Sequence, residues 1–235
     1  MQIEGSVALV TGASRGIGRE YVQALLDRGA RKVYATARRP DDIDIAGVER
    51  IALDITDLRQ IEAAAAAAGD TTILINNAGI ATNQSFLGGS MDLIRLEMET
   101  HFFGLLGMVR AFSPILGRNG GGAVVNMLSV TSWFSYPGAE AYSAAKAAAW
   151  SLTNSIRLEL AKQNTLVVGV QLGATDTDMM KGIDMPKNDP AKVAHAALDA
   201  IEADDWEVLA DDMTRQIKGA LAVDPKLLYA DLLRG

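Results

Sequence analysis

Residues 6–11 (SVALVT) form an unbroken, largely apolar and β-branched run, and it ends in the glycine-rich turn Gly12-Ala13-Ser14-Arg15-Gly16-Ile17-Gly18. Such a run reads as a strand buried on both faces. Residues 17–28 then have helical spacing, with Gly29 as a stop. A buried strand feeding directly into a helix points to α/β architectures with parallel strands. The alternation continues along the chain. Residues 32–37, 50–53, 72–76, 123–128, 166–171 and 206–209 read as strands, while residues 56–68, 91–116, 140–162 and 190–203 read as helices. We therefore expect one domain over residues 1–235, an α/β fold with a Rossmann-type doubly wound parallel sheet of about seven strands in three layers. Ligands of such sheets bind at the carboxyl ends of the strands, near the topological switch point.

Composition removes several function classes. There are no cysteines, which excludes disulfides, thiolate metal sites and thiol nucleophiles. Only His101 and His195 are present, too few for a histidine-rich metal site, so no metal is expected. The net charge of −7 argues against a nucleic-acid partner, whose phosphates demand basic surface. No run of about 18 uncharged apolar residues occurs, so no membrane span is expected. The opening MQIEGSVALVTGASRG has no basic start, so no signal peptide is expected. A chain without cysteine fits a cytoplasmic location.

Glycines in the turn let the backbone approach a phosphate, and the following helix N-terminus presents free N–H groups to it. The same glycines would also serve a tight turn with no ligand. If a dinucleotide binds, the second strand decides which one. A carboxylate at its end would accept from a ribose 2′-OH. The chain instead has Arg38 and Arg39 there, with Arg15 in the turn. Guanidinium groups suit a 2′-phosphate, which favours NADP(H), although Arg38 and Arg39 also read as solvated loop charges.

Tyr142 and Lys146 stand four apart on a helix and so share a face. A neighbouring ammonium favours phenolate, so we expect Lys146 to lower the Tyr142 pKa and equip the phenol for acid–base work near neutral pH. Ser129 follows the fifth strand, where its hydroxyl can polarise a substrate carbonyl.

Together, TGASRGIG at 11–18, Asp54, NNAG at 76–79, Ser129 and the Tyr142/Lys146 pair resemble the short-chain dehydrogenase/reductase family, from Val7 to about Met179. The resemblance implies an NADP-dependent oxidoreductase of the carbonyl reductase type, interconverting a ketone or aldehyde and an alcohol. It implies cofactor contacts at Gly12, Ser14, Arg15, Gly16, Ile17, Gly18 and Arg38, with Asp54 and Ile55 at the adenine. It implies further contacts at Asn77, Ala78 and Gly79, and at Tyr142 and Lys146 beside the nicotinamide ribose.

Two departures stand out. Family members usually carry Asn three residues before a helix glycine, where it holds a water that serves the lysine. Here the frame is His101-Phe102-Phe103-Gly104. His101 either holds that water or, being larger, displaces it, or it is a helix histidine with no catalytic part. After the sixth strand the usual proline is missing from Leu172-Gly173-Ala174-Thr175-Asp176-Thr177, while Gly173, Thr175 and Thr177 remain as expected nicotinamide contacts.

Trp133, Phe134, Tyr136, Met179, Met180 and Met185 are expected to line a largely apolar substrate pocket, or else to pack in the core. Small residues over 141–149 permit a helix-to-helix dimer face, or packing on the sheet, and the resemblance implies a homodimer or homotetramer. A dinucleotide-using isomerase or dehydratase, and a non-catalytic cofactor-sensing regulator, are the competing readings.

Overall fold

The computed structural model describes residues 1–233. Seven strands form one all-parallel sheet in the order β3-β2-β1-β4-β5-β6-β7. They are β1 (Val7–Val10), β2 (Lys32–Ala37), β3 (Glu49–Ala52), β4 (Ile73–Asn76), β5 (Gly122–Met127), β6 (Thr165–Gln171) and β7 (Glu207–Leu209). The chain builds outward from β1 to β3, returns to lay β4 beside β1, and builds outward again. The order reverses between β1 and β4, where Val10 pairs with Ile75, and ligands of such sheets bind at the carboxyl ends beside this point.

Continuous apolar strands are required because both sheet faces are covered. Alternate residues of β1 point to opposite layers. Ala8 and Val10 pack with Tyr21, Val22 and Leu25 of α1 (Gly16–Asp27) and with Leu198 and Ile201 of α6 (Pro190–Ala203). Val7 and Leu9 face the other layer. It contains α2 (Leu58–Ala67), α4 (Leu105–Arg118) and α5 (Glu140–Leu160), which contribute Ile61, Phe112 and Ile156. Phe112 is fully buried, and truncating it to Ala would destabilise the fold by about 3–5 kcal/mol.

The expected helix over residues 91–116 is composite. α3 (Met91–Met98) passes into a π-helical segment, Glu99–Gly104, and then into α4. Gly104 lets this segment approach the β3 side closely, since a Cβ there would lie 2.8 Å from the Ile55 carbonyl oxygen. The segment turns Thr100 and His101 inward. Ala141, Ala145 and Ala149 are buried within this protomer, so that stripe of the helix is already covered inside the chain. Beyond β7, α7 (Asp212–Gly219) is capped by Asp211, and α8 (Pro225–Leu228) and α9 (Ala230–Leu233) follow. No described helix is long and apolar enough to cross a membrane.

Candidate active site

The glycine turn lies at the switch point and is held there by Asn77. The Asn77 side chain donates to the carbonyls of Thr11 and Gly12, at 2.9 and 3.2 Å. Its backbone N–H and that of Ala78 donate to Thr11 Oγ1. The amide of Asn77 is thereby committed to the turn itself. Gly12 and Gly16 have φ of +67° and +55°, which side chains other than glycine rarely tolerate. A Cβ on Gly18 would sit 2.5 Å from Asn77 Nδ2 and closer still to the Gly12 carbonyl oxygen. No side chain among the described residues caps α1, so the first N–H groups of the helix are left without a side-chain acceptor.

The expected readers of a 2′-phosphate differ in their surroundings. Arg38, just past β2, is exposed and forms no ion pair among the described residues. Arg39 pairs with Asp42 at 2.8 Å. Arg15 pairs with Asp178 at 3.1 Å, both exposed, so a carboxylate already sits on one of the two candidate guanidiniums. Asp54, after β3, accepts on Oδ1 from Thr56 N and Oγ1, and Ile55 is buried beside it.

Ser129, Tyr142 and Lys146 converge at the carboxyl end of β5. Ser129 caps a short turn and accepts from the Thr131 N–H at 3.1 Å and from Thr131 Oγ1 at 3.0 Å, which leaves its own proton to donate elsewhere. Lys146 is buried, and Nζ donates to the Met127 carbonyl at 2.8 Å. It also sits 5.6 Å from the centroid of the Tyr142 ring. Burial lowers the Lys146 pKa to about 8, against an opposing pull from the Glu97 charge. Tyr142 departs from the expectation that its phenol is pulled down. Burial pushes it well up, the Glu97 charge adds to this, and a hydrogen bond with Ser129 opposes it. Among this chain's own groups the net direction favours the neutral phenol.

His101 packs edge-on against Tyr142, with ring centroids 5.2 Å apart. Its ring fills the space beside Gly79, where a Cβ would lie 2.8 Å from Cε1. The sequence reading missed its partner, Glu97, whose carboxylate lies 3.3 Å from Nε2. The four-residue spacing on a helix was the available signal.

Gly173, Thr175 and Thr177 lie on the loop after β6. The Gly173 N–H donates to Asp211 Oδ2 at 2.7 Å, as does Asn188 Nδ2 at 2.6 Å, so Asp211, also missed, anchors this loop. Thr175 is buried with Oγ1 donating to the Gly173 carbonyl, and Thr177 donates to the Thr175 carbonyl. The Thr177 side chain reaches the glycine turn, 3.2 Å from where a Gly16 Cβ would stand.

Of the expected pocket residues, Tyr136, Met179 and Met185 are exposed, and Met180 is half-buried. Phe134 is buried and stacks on Tyr229 at 4.8 Å, and half-buried Trp133 lies edge-on to Trp150. These last two are packing residues between the loop after β5 and its neighbours. A cleft of about 780 Å³ at the opposite edge of the sheet, walled by Gly121, Arg157 and Trp206 among others, contains none of the motif residues.

The chain resembles known proteins in sequence and in fold. The family model described as short chain dehydrogenase matches residues 6–188. A crystal structure of a short chain dehydrogenase from Burkholderia cenocepacia in complex with NADP superposes with a TM-score of 0.94, is 42% identical and covers 99% of both chains. Carbonyl reductase (NADPH) 2 of Sus scrofa is 31% identical over 188 residues, 78% of this chain and 77% of its own. A 3-oxoacyl-(acyl-carrier-protein) reductase of Vibrio cholerae is 33% identical over 207 residues, 84% and 83% of the two chains. With a matched model over most of its length and the family's sheet order around its motifs, the chain belongs to the short-chain dehydrogenase family.

Proposed function

We propose that this chain is an NADP(H)-dependent oxidoreductase that interconverts a ketone or aldehyde and the corresponding alcohol. The observation that carries this reading is the grouping of Ser129, Tyr142 and Lys146 beside the glycine turn at one edge of the sheet. The turn fits a dinucleotide, because its glycines leave backbone where side chains would stand and α1 begins uncapped. Arg38, free of acidic partners among the described residues, and Arg15 suit a 2′-phosphate. The NADP named with the Burkholderia cenocepacia structure supports the same choice.

When bound, NADPH supplies the hydride to the carbonyl carbon. Tyr142 gives its phenolic proton to the substrate oxygen, and the raised pKa keeps that proton in place until negative charge develops there. Ser129 donates its free O–H to the same oxygen and polarises the carbonyl. Lys146 fixes one N–H on the Met127 carbonyl and keeps another for the cofactor ribose, its charge lying beside the Tyr142 ring. Asn77 acts mainly by shaping the turn, while Asp54, Ile55, Ala78, Gly79, Gly173, Thr175 and Thr177 wall the cofactor groove.

We read residues 1–235 as one domain acting in the cytoplasm. The substrate is largely apolar, because Tyr136, Met179, Ile183 and Met185 offer exposed apolar surface in the loops after β5 and β6. Exposed Leu93, Leu96, Phe103 and Leu158 on the outer helices support self-association as a homodimer or homotetramer. The test is to mix NADPH with a panel of aryl and aliphatic ketones and aldehydes and follow nucleotide absorbance together with alcohol formation. Stoichiometric loss of both reactants is expected. A product isomeric with its substrate, formed with no net nucleotide loss, would instead identify an isomerase.

A further inference from the structure

Glu97 is completely buried, the only carboxylate in the buried core among the described residues, and the reaction proposed above does not use it. A charge withdrawn from water persists only with close partners. Oε1 has them, accepting from Thr82 N at 2.6 Å and from Thr82 Oγ1 at 2.9 Å. Oε2 accepts no well-aligned hydrogen bond among the described residues and lies 3.3 Å from His101 Nε2. That nitrogen is also 2.8 Å from the Ile80 carbonyl oxygen. A carbonyl so near, with a carboxylate behind it, requires the proton on Nε2. The Ile80 N–H, 3.4 Å from the same atom, is the weaker contact. Burial and the Lys146 charge hold the His101 pKa below its ordinary value, so the ring is neutral at pH 7 and Nδ1 is a bare acceptor.

His101 also lines a cavity of about 10 Å³, the size of one water, together with Lys146, Asn76, Thr11, Thr100 and Met127. Asn76 presents an acceptor without a partner. Thr153 Oγ1 donates to the Ala149 carbonyl at 2.7 Å and accepts from Asn126 Nδ2 at 3.0 Å. Asn126 Oδ1 then accepts from Asn76 Nδ2 at 2.9 Å. This chain of bonds fixes the Asn76 amide and leaves its buried Oδ1 unsatisfied among the described residues.

We infer that Glu97 is a positioning residue that holds His101 as its Nε2–H tautomer, so that Nδ1 accepts from a single water lodged among His101, Lys146 and Asn76. The water donates to His101 Nδ1 and to Asn76 Oδ1 and accepts from Lys146 Nζ, three bonds, as buried waters commonly make. The second N–H of the ammonium is thereby aimed, and the third is left for the reacting groups. The link to turnover rests on the proposed roles of Tyr142 and Lys146, whereas the tautomer does not.

With His101 and His195 the only two histidines, nitrogen-15 NMR of the imidazoles resolves the tautomer directly in the unmodified protein, assigned with His101→Asn. A neutral ring protonated on Nε2 is expected at pH 7, and protonation on Nδ1 overturns the inference whatever the protein catalyses. Glu97→Gln presents an amide N–H or a neutral oxygen to Nε2, and is expected to lower kcat about tenfold, within the coupling range of touching residues, with the KM for NADPH nearly unchanged. In a His101→Asn background the same change should have less than about a twofold effect. Equal losses in both backgrounds with an unmoved His101 spectrum would leave Glu97 a purely structural carboxylate and refute the assignment. If Glu97→Gln does not fold, the tautomer of the parent still decides.

Discussion

Replacing Gly18 with Ala adds one methyl group to the first turn of α1, and the surroundings leave no room for it. The new Cβ would lie 2.5 Å from Asn77 Nδ2 and nearer to the Gly12 carbonyl oxygen. Neither neighbour yields cheaply. The oxygen belongs to a backbone already held at φ +67°, and the amide nitrogen donates to Thr11 and Gly12. Relieving the overlap means moving the start of α1 off the sheet and weakening both Asn77 bonds. Overpacking of this kind destabilises by about 1–3 kcal/mol, and two hydrogen bonds contribute about 1 kcal/mol each. The better helix propensity of Ala offsets about 1 kcal/mol. The net is a loss of about 3 kcal/mol, which lowers Tm by roughly 6–12 °C for a domain of this size. NADPH affinity should fall at least about a hundredfold, because the backbone that receives the pyrophosphate has shifted. Thermal unfolding with and without NADPH, and fluorescence titration of the nucleotide, measure both effects. Gly69→Ala is the control, since a Cβ there meets nothing within 4 Å. A Gly18→Ala protein with unchanged Tm and unchanged NADPH affinity would refute the close-approach account of the turn.

Removing the Arg38 guanidinium with Arg38→Ala should weaken NADPH at least about tenfold while leaving NADH nearly unchanged, read by titration with each nucleotide; equal losses for both would deny it the 2′-phosphate. Asp211→Ala should destabilise by about 2 kcal/mol, because the Gly173 and Thr214 N–H groups lose their acceptor. Hydrogen bonds from Gly173, Thr214 and Asn188 outweigh burial and hold the Asp211 pKa below its ordinary value. Its contribution is therefore present above the unfolded value and lost as pH falls through the folded one, so the stability gap between parent and variant should close in acid. The rate of carbonyl reduction should decline above a pH of about 8, where Lys146 loses its proton; a profile flat to pH 10 would remove the ammonium from the reaction.

The alternation of apolar β-branched runs with helical spacing made all seven strands legible, and α6 begins at Pro190 and ends at Ala203 as expected. What escaped depends on distant backbone. Side-chain periodicity does not register the extra backbone residue of a π-helical turn, so Glu99–Gly104 read as ordinary helix. Asp211 meets Gly173 across 38 positions, and Arg15 meets Asp178 across 163, neither of which any local pattern announces. Tyr142 illustrates a different limit. The spacing to Lys146 revealed a cation nearby but not the depth of burial, and burial decides the direction of the shift. Glu97 carries the visible four-residue spacing to His101, yet its importance depends on the Thr82 N–H folding back onto it.

Tyr142→Phe tests the central claim most directly, because it deletes one hydroxyl and keeps the ring that packs on His101. Turnover of a carbonyl substrate with NADPH should fall by about 10²–10⁴, while the dissociation constant for NADPH stays within about twofold of the parent. Undiminished turnover in that variant would contradict the account.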